Sequence, residues 1–387
     1  MTGSSLGIAL FLWSYGVGAT SLYGIARAAL LRRASPPALT SKPRVLLLRP
    51  CAGAEPELDR ALLSLRHAVT TAAISCRFAV ESPEDPAAPA AERAAAELRA
   101  AGLDASTVFT HAEGPNHKAA QIDAVLAAET APTDALLIAD SDVDLTGFDL
   151  DALLSPLFES SVAAVWCPPV ETGTSSTAGD MASAAVLTSS LHAFTLLSAL
   201  DGGSLVGKLF AVRRDAVDSA GGFRSMKRVL GEDMELARLL ASQGHVVKVC
   251  PRVARSLKSG RTWSAAADRY ARWLTVIRAQ RPHLLASYPL LFFATPLLLT
   301  AALALAPFAP VHALATAAVT LSTRLITAFA GRMLAGLPFS LRASIVGAAL
   351  SDALLAHAFA RALATRTITW RGRTLKIDRR GTLREAV

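Results

Sequence analysis

Residues 135–145 read ALLIADSDVDL. ALLIA is a short apolar run that stops on an acid, the pattern of a buried strand in a parallel sheet. Open α/β sheets bind ligands at the carboxyl ends of their strands, and Asp140 stands at such an end. Asp142 and Asp144 follow at alternate positions. In an extended segment, residues two apart point the same way. Carboxylates that share one side repel each other unless a cation compensates. Hard divalent ions take oxygen ligands and also bind substrate phosphates. The segment therefore predicts a D-x-D metal–diphosphate site, against the plainer alternative of a solvated acidic turn.

Working outward, strand and helix signals alternate. VLLLRP (45–50) reads as a strand stopped by proline, EPELDRALLSLRHA (55–68) as a helix and ISCRFAV (74–80) as a second strand. The Ala-rich stretch 87–101, with Glu and Arg at helical spacing, predicts a surface helix. VFTH (108–111) is a third strand candidate and 117–129 a helix leading into ALLIAD. Alternation of this kind predicts an α/β fold with a doubly wound, mostly parallel sheet.

The ends are different. Of the 387 residues, 52% are hydrophobic, the mean hydropathy is +0.38 and the net charge is +8. In so apolar a chain, basic charge marks cytoplasmic membrane edges rather than nucleic-acid binding, and we expect no nucleic-acid partner. Residues 6–25 hold no charge and are long enough to cross a bilayer. Arg27, Arg32 and Arg33 follow them, the polarity of an uncleaved anchor with the later chain in the cytoplasm. SPPALTSKP (35–43) reads as a linker. Residues 286–307 predict a good span and 311–330, containing Arg324, a fair one. Residues 342–364 carry Arg342, Asp352, His357 and Arg361 and predict a span, a re-entrant piece or an interfacial helix. An even number of these spans would leave the basic tail cytoplasmic. The expected organisation is an anchor with its basic flank (1–33), a cytoplasmic catalytic domain (34–262), an interfacial amphipathic helix (263–285), membrane helices (286–365) and a basic cytoplasmic tail (366–387). These features predict an integral membrane protein of a bacterial-type inner membrane or its equivalent. Its four cysteines lack C-x-x-C spacing, which suits reduced thiols in a cytosol-facing domain.

Three further segments carry chemistry. LGEDMELARLL (230–240) puts Glu232 and Asp233 at the start of a predicted helix, as acids complementing the helix dipole or as a general base for an acceptor hydroxyl. VGKLFAVRRDAVDSAGGF (206–223) shares only Gly-Lys with a phosphate-binding P-loop, since no Ser or Thr follows Lys208. It reads as a strand, a turn at 213–215 and a short helix. DRYARW (268–273) places Arg269, Arg272 and Trp273 on one helix side. That fits an interfacial helix, and equally arginines that hold a leaving diphosphate bidentately. No G-x-G-x-x-G follows the first strand, and neither G-x-S-x-G nor H-E-x-x-H occurs.

Taken in order, Asp140-Ser141-Asp142, Glu232-Asp233 and Arg269-Tyr270-Ala271-Arg272-Trp273 before C-terminal membrane segments resemble the ceramide glucosyltransferase group of glycosyltransferase family 2. LLLRPCAG (46–53), GPNHKAAQ (114–121) and GKLFAVRRDAVDSAGGF look like the same group, over roughly residues 1–375. The related hopanoid-associated glycosyltransferases share the pattern. The resemblance implies a GT-A type fold and inverting transfer of a sugar, glucose above all, from a UDP-sugar to a membrane lipid acceptor such as ceramide. A hopanoid or other lipid with a donor such as UDP-N-acetylglucosamine is the alternative. It implies Mg²⁺ or Mn²⁺ held by Asp142 and Asp140, with Asp144 a further candidate. Asp233 becomes the base, beside Glu232. Arg269 and Arg272 become diphosphate ligands, Trp273 a packing surface for donor or lipid, and Lys118 a donor contact. Members often carry an aspartate shortly before a D-P pair, associated with the nucleotide base. AVESPEDP (79–86) has Ser82 there, flanked by Glu81. Either Glu81 takes the role or uridine recognition differs. A pore-forming polysaccharide synthase usually carries more spans and a Q-x-x-R-W motif, and many polyprenyl-phosphate sugar synthases lack R-x-x-R-W. A non-catalytic membrane scaffold of the same fold is the rival from another class.

Overall fold

The computed structural model describes residues 3–34, 37–200, 202, 204–365, 367–370, 373–378 and 381–385. Ser35 and Pro36 of the predicted linker and parts of the basic tail lie outside the described residues. The chain divides into two compact units, one of residues 32–174, 197–259 and 370–387, the other of residues 1–31, 175–196 and 260–369. Residues 175–196, which the sequence reading leaves inside the catalytic domain, thus group with the apolar helices.

Besides two strands in its C-terminal segment, Arg373–Ile377 and Leu383–Glu385, the first unit holds ten described strands, β1 (Arg44–Pro50), β2 (Ala73–Val80), β3 (Asp104–Phe109), β4 (Ala135–Ala139), β5 (Val143–Asp144), β6 (Val162–Trp166), β7 (Pro169–Glu171), β8 (Leu209–Arg213), β9 (Val246–Val249) and β10 (Ala254–Ser256). Seven of them form one sheet in the order β3-β2-β1-β4-β8-β6-β9. Its pairs are parallel except those of β8, which runs antiparallel to β4 and β6. The expected α/β, doubly wound, mostly parallel sheet is present. β4 is buried at every position, as its unbroken apolar run requires. The helices Leu58–Leu63, Ala88–Ala100 and His117–Ala128 fall where the sequence puts them. The third strand starts four residues before VFTH, and β8 passes into the helix Arg214–Ser219 without the expected turn. Because β8 is antiparallel, Leu209 pairs with Ala139, and Gly207-Lys208 arrive at the carboxyl end of β4.

Asp140–Val143 form a turn rather than an extended segment, with Val143 N–H donating to Asp140 O at 3.1 Å. Arg49 holds this turn. Its side chain is fully buried at the end of β1, where Nη2 donates to the carbonyls of Asp140 (3.1 Å), Ser141 (3.1 Å) and Val143 (2.6 Å), and Nη1 to Ala61 O (2.6 Å). A guanidinium suits the task because it offers several donors in a rigid fork.

In the second unit, Gly3–Arg33, Pro310–Leu334 and Leu341–Ala364 are each long and apolar enough to cross a membrane. The first helix buries Gly7, Leu10, Ser14, Gly18, Ser21, Gly24 and Ala28 at spacings of three or four, and all but Leu10 are small residues that let helices approach closely. A Cβ on Gly24 would stand 2.8 Å from the carbonyl oxygen of His192. Residues 286–307 do not make the single straight span expected of them. Pro282–Phe292 and Ala294–Leu305 meet at a 57° bend, either a broken span or a re-entrant loop. The ring of Pro296 would clash with the carbonyl of Phe292, four residues back, in a continuous helix. A second bent pair, Ala178–Ser189 with Leu191–Leu200 (43°), was not expected from the sequence. Arg324, Asp352, His357 and Arg361, foreseen inside the spans, are partnered. Arg324 meets Asp352 at 2.9 Å and Arg361 meets Asp268 at 2.6 Å, while Trp263 Nε1 donates to His357 at 3.0 Å.

Arg49→Met keeps the side chain's bulk and removes a donor from four carbonyls, of which Asp140 O retains Val143 N–H and Ala61 O retains Ser64. Each unsatisfied buried polar group costs about 1–3 kcal/mol, so the variant should unfold at markedly lower denaturant or aggregate on expression. Wild-type-like unfolding of Arg49→Met would show that the clamp is dispensable.

Candidate active site

Two lysines and four acids converge where β4 ends. Lys118, in the first turn of the helix His117–Ala128, donates to Asp140 Oδ1 at 2.8 Å and to Gly207 O at 2.7 Å, and meets Glu232 Oε1 at 3.3 Å. Lys208 sits 2.5 Å from Asp142 Oδ1 and 3.2 Å from Asp140 Oδ2. Ser256 Oγ donates to Asp142 Oδ2 at 2.7 Å. Around this pair, Ser141 Oγ donates to Glu55 Oε2 at 2.7 Å, and Lys258 closes on the other oxygen of Glu55. The Asp142 side chain is 5% exposed and that of Asp140 30%, so the cluster opens to the outside at Asp140.

The helix Glu232–Ser242 supplies the other two acids. Asn116 caps the helix that carries Lys118 by accepting from Ala119 N–H, and its amide donates to Glu232 Oε2 at 3.0 Å. Glu232 is thereby bound on both oxygens, by Asn116 and Lys118. Asp233 differs. Among the described residues its oxygens accept from backbone N–H groups, Oδ2 from Gly207 at 2.6 Å and Oδ1 from Met234 at 2.8 Å. Gly207 is required for this approach, because a Cβ there would lie 2.8 Å from Asp233 Oδ2.

The electrostatics separate the acids. Burial alone would raise Asp142, but the Lys208 ammonium, with help from Ser256 and Lys258, outweighs it and holds the carboxyl well below the usual range. Burial is likewise outweighed at Asp140 by Lys118 and Lys208, and its carboxyl is also lowered. Lys118 would be lowered by burial, yet the charges of Asp140 and Glu232 raise it. Asp233 goes the other way. Burial, then the charge of Glu232, pushes it up to about 6. Environments that drive neighbouring acids apart in this way assign them different chemical tasks.

The structure gathers Asp140, Asp142, Lys118, Glu232 and Asp233 as the sequence reading hoped. Asp144 turns away, because the segment is not extended. Its Oδ1 accepts from Thr146 N–H at 2.9 Å in a local turn. Glu81, just past the end of β2, meets His117 Nδ1 at 3.0 Å, and Ser82 O accepts from Asp85 N–H at 3.2 Å. Asp85 in turn accepts from Gly53 N–H at 2.7 Å and so fixes the loop after β1. Arg269, Arg272 and Trp273 belong to the apolar-helix unit, on the helix Trp263–Gln280. There the Arg269 guanidinium lies 4.7 Å from the centroid of Trp273 and 5.6 Å from that of Tyr270, and Nη1 donates to Ser183 Oγ at 3.3 Å. Sequence reasoning missed Lys208, Asn116, Glu55, Ser256 and Lys258. The Gly-Lys pair was weighed only as half of a P-loop.

The donors suit a hard divalent ion in kind. Asp140 and Asp142 present carboxylate oxygens on one side of the turn, facing a shared ammonium. Among the described residues no set of three or more His, Cys, Asp or Glu side chains is arranged as metal ligands. Mg²⁺-like ions are commonly held by one or two carboxylates, with substrate phosphates and water filling the rest. Lys208 would have to withdraw from between the two acids.

Among solved structures, the chain is similar to a mannosyltransferase from Pyrobaculum calidifontis in complex with GDP-Man and Mn²⁺. The identity is 18% and the TM-score 0.49, covering 93% of this chain and 99% of that one. It is also similar to glucosyl-3-phosphoglycerate synthase from Mycobacterium tuberculosis in complex with Mn²⁺, UDP-glucose and phosphoglyceric acid, at 14% identity and TM-score 0.37, covering 60% and 79%. Likeness at these levels identifies no activity. Comparison with curated proteins gives no match. The motifs point to family 2, and the family model that matches is that of Glycosyl transferase family 21, over residues 8–383. With nearly its whole length matched, the chain belongs to glycosyltransferase family 21.

Proposed function

We propose that the protein is an inverting, metal-dependent hexosyltransferase that moves glucose from UDP-glucose to the primary hydroxyl of ceramide. Its GT-A type catalytic domain stands on the cytoplasmic side of the membrane that its apolar helices enter. The observation that carries the reading is Asp233, a buried acid with a pKa near 6 beside a strongly ionised Asp140–Asp142 pair. A general base works best when its pKa lies close to the operating pH.

In this reading Asp233 accepts the proton of the acceptor hydroxyl while that oxygen attacks the anomeric carbon. The bond from that carbon to the diphosphate oxygen breaks on the opposite face, and its electron pair leaves with UDP. Gly207 N–H keeps the Asp233 carboxylate aimed and ionisable. Mg²⁺ or Mn²⁺ bound to Asp140 and Asp142 would neutralise charge on the leaving diphosphate. Lys118 and Lys208 add fixed positive charge to the same place. Glu232 holds Lys118 and Asn116 and leaves proton transfer to its neighbour. The roles that the resemblance implies for Glu81, Ser82, Arg269, Arg272 and Trp273 remain part of the proposal.

Membranes containing the protein, given UDP-glucose, Mg²⁺ and a labelled short-chain ceramide, should yield a glycolipid that a chelator abolishes. Product from a hopanoid or another UDP-sugar in place of these would move the acceptor or donor and leave the reaction. No product with any pair would support the scaffold reading. Asp233→Asn should lower transfer by about 10²–10⁴-fold with UDP binding retained. Since the Asp233 pKa is raised and only the carboxylate is a base, transfer should fall about tenfold per pH unit below pH ~6. A flat profile down to pH ~5, or an active Asp233→Asn, would remove Asp233 from the role.

A further inference from the structure

The basic tail folds back onto the catalytic unit as a hairpin. Strand Arg373–Ile377 pairs antiparallel with Leu383–Glu385. Leu375, Ile377 and Leu383 are buried while Thr374, Lys376 and Arg384 are exposed, the alternation of a strand with one face covered. Asp378 and Thr382 close the hairpin. Asp378 N–H donates to Thr382 O at 3.1 Å, and Asp378 Oδ1 accepts from Thr382 N–H at 2.9 Å. Gly381 stands at φ 79°, a conformation that glycine adopts without strain.

The hairpin end lies against residues 227–230, and the bonds of that segment alternate between two neighbours. Lys227 O accepts from Asn116 N–H at 2.9 Å, and Val229 O from Asn116 Nδ2 at 2.7 Å. Arg228 O accepts from Leu383 N–H at 2.7 Å, and Leu230 N–H donates to Gly381 O at 3.2 Å. Val229 and Thr382 form the antiparallel bridge between these last two bonds. Asn116 thus holds one side of the segment and the tail holds the other. The helix Glu232–Ser242 then starts from Gly231, which has no side chain to cap it. Its second residue is Asp233, whose Oδ2 meets Gly207 N–H at 2.6 Å. Such a bond is lost when its atoms part by about 1 Å. A shift of that size in residues 228–231 would carry Asp233 off its seat.

We infer that the C-terminal hairpin is a positioning element of the candidate active site: Gly381 and Leu383 fix residues 228–230 and thereby the place of the Asp233 carboxylate. The hairpin acts on Asp233 through the backbone and takes no part in the chemistry. The catalytic consequence rests on the reading of Asp233 as the base, and the placement does not.

Leu383→Pro, made in the full chain in detergent, tests the inference. Proline removes the N–H that Arg228 O uses, on the edge of the strand turned away from its hairpin partner. Gly381→Ala puts a Cβ at positive φ beside the carbonyl that Leu230 N–H uses, and decides the matter if Leu383→Pro unfolds. Two readouts need no substrate. Amide hydrogen exchange in peptides spanning 226–236 should quicken about tenfold or more, while peptides spanning 135–142 exchange as in the wild type and report an intact fold. Carbodiimide, which modifies the protonated carboxyl, should label Asp233 of the wild type with a midpoint near pH 6, set by burial, by Glu232 on the same helix and by Lys118 on the helix His117–Ala128. In the variants that midpoint should fall toward the ordinary carboxylate range as water reaches the group. In sugar transfer, kcat should fall about 10²-fold with the donor KM unchanged, the cost of a base misplaced by about 1 Å. Unchanged exchange at 226–236 would overturn the inference. Faster exchange with an unmoved midpoint would overturn it too, and leave the hairpin as a cover for the fold. A moved midpoint with unaltered transfer would keep the placement and refute Asp233 as the base. A wild type that transfers no sugar with any donor and acceptor would refute the proposed reaction, with the placement still decided by exchange and modification.

Discussion

Charges removed from water must find partners, and the end of β4 is arranged around that demand. Arg49, Lys118 and Lys208 are buried or nearly so, and so are Asp142 and Glu232. One member left unpaired would destabilise the fold by several kcal/mol. The topology answers the demand element by element. The reversed direction of β8 delivers Lys208, and the capped helix His117–Ala128 delivers Lys118. β10 delivers Ser256 from the other side. Asp233 alone among the acids is satisfied by backbone N–H groups, and it alone has a raised carboxyl. The lowered carboxyls are those faced directly by lysine ammonium groups, whereas at Asp233 burial and the charge of Glu232 outweigh the backbone N–H groups and Lys118.

The same demand shapes the apolar-helix unit, with fewer means. Arg324 and Asp352 neutralise each other across two helices, and small residues along Gly3–Arg33 allow the close approach that dispersion forces need. The C-terminal tail, read from the sequence only as a basic extension, is used in the catalytic unit. Leu383 N–H donates to Arg228 O at 2.7 Å and Leu230 N–H to Gly381 O at 3.2 Å, shortly before Glu232 and Asp233. The tail therefore braces the segment that presents the acids.

Much of this was legible in the sequence. Alternating apolar runs and helical spacings identify β1, β2 and β4 and the helices between them, because each is a local pattern. Asp140 and Asp142 could be picked out because acids after a buried strand are unusual. The turn at 140–143 was not legible, since it is imposed by Arg49 from another strand, and Asp144 was misjudged with it. Lys208 escaped because its partner is 66 residues away and no local pattern links them. The bend before Ala294 had a sign in Pro296, which a count of apolar residues overlooks. Residues 178–200 are together apolar enough for a span, so the signal was present there and was passed over for the neighbouring Gly-Lys and Glu-Asp segments.

The central claim is that Asp140 and Asp142 form the seat of a divalent ion and the diphosphate it accompanies. Calorimetric titration of UDP into the detergent-solubilised full chain tests it directly. The account predicts binding with Mg²⁺ or Mn²⁺ present, loss of most of that affinity with chelator, and the same loss in Asp142→Asn with the ion present. UDP binding of equal strength with and without the ion, unchanged in Asp142→Asn, would contradict it.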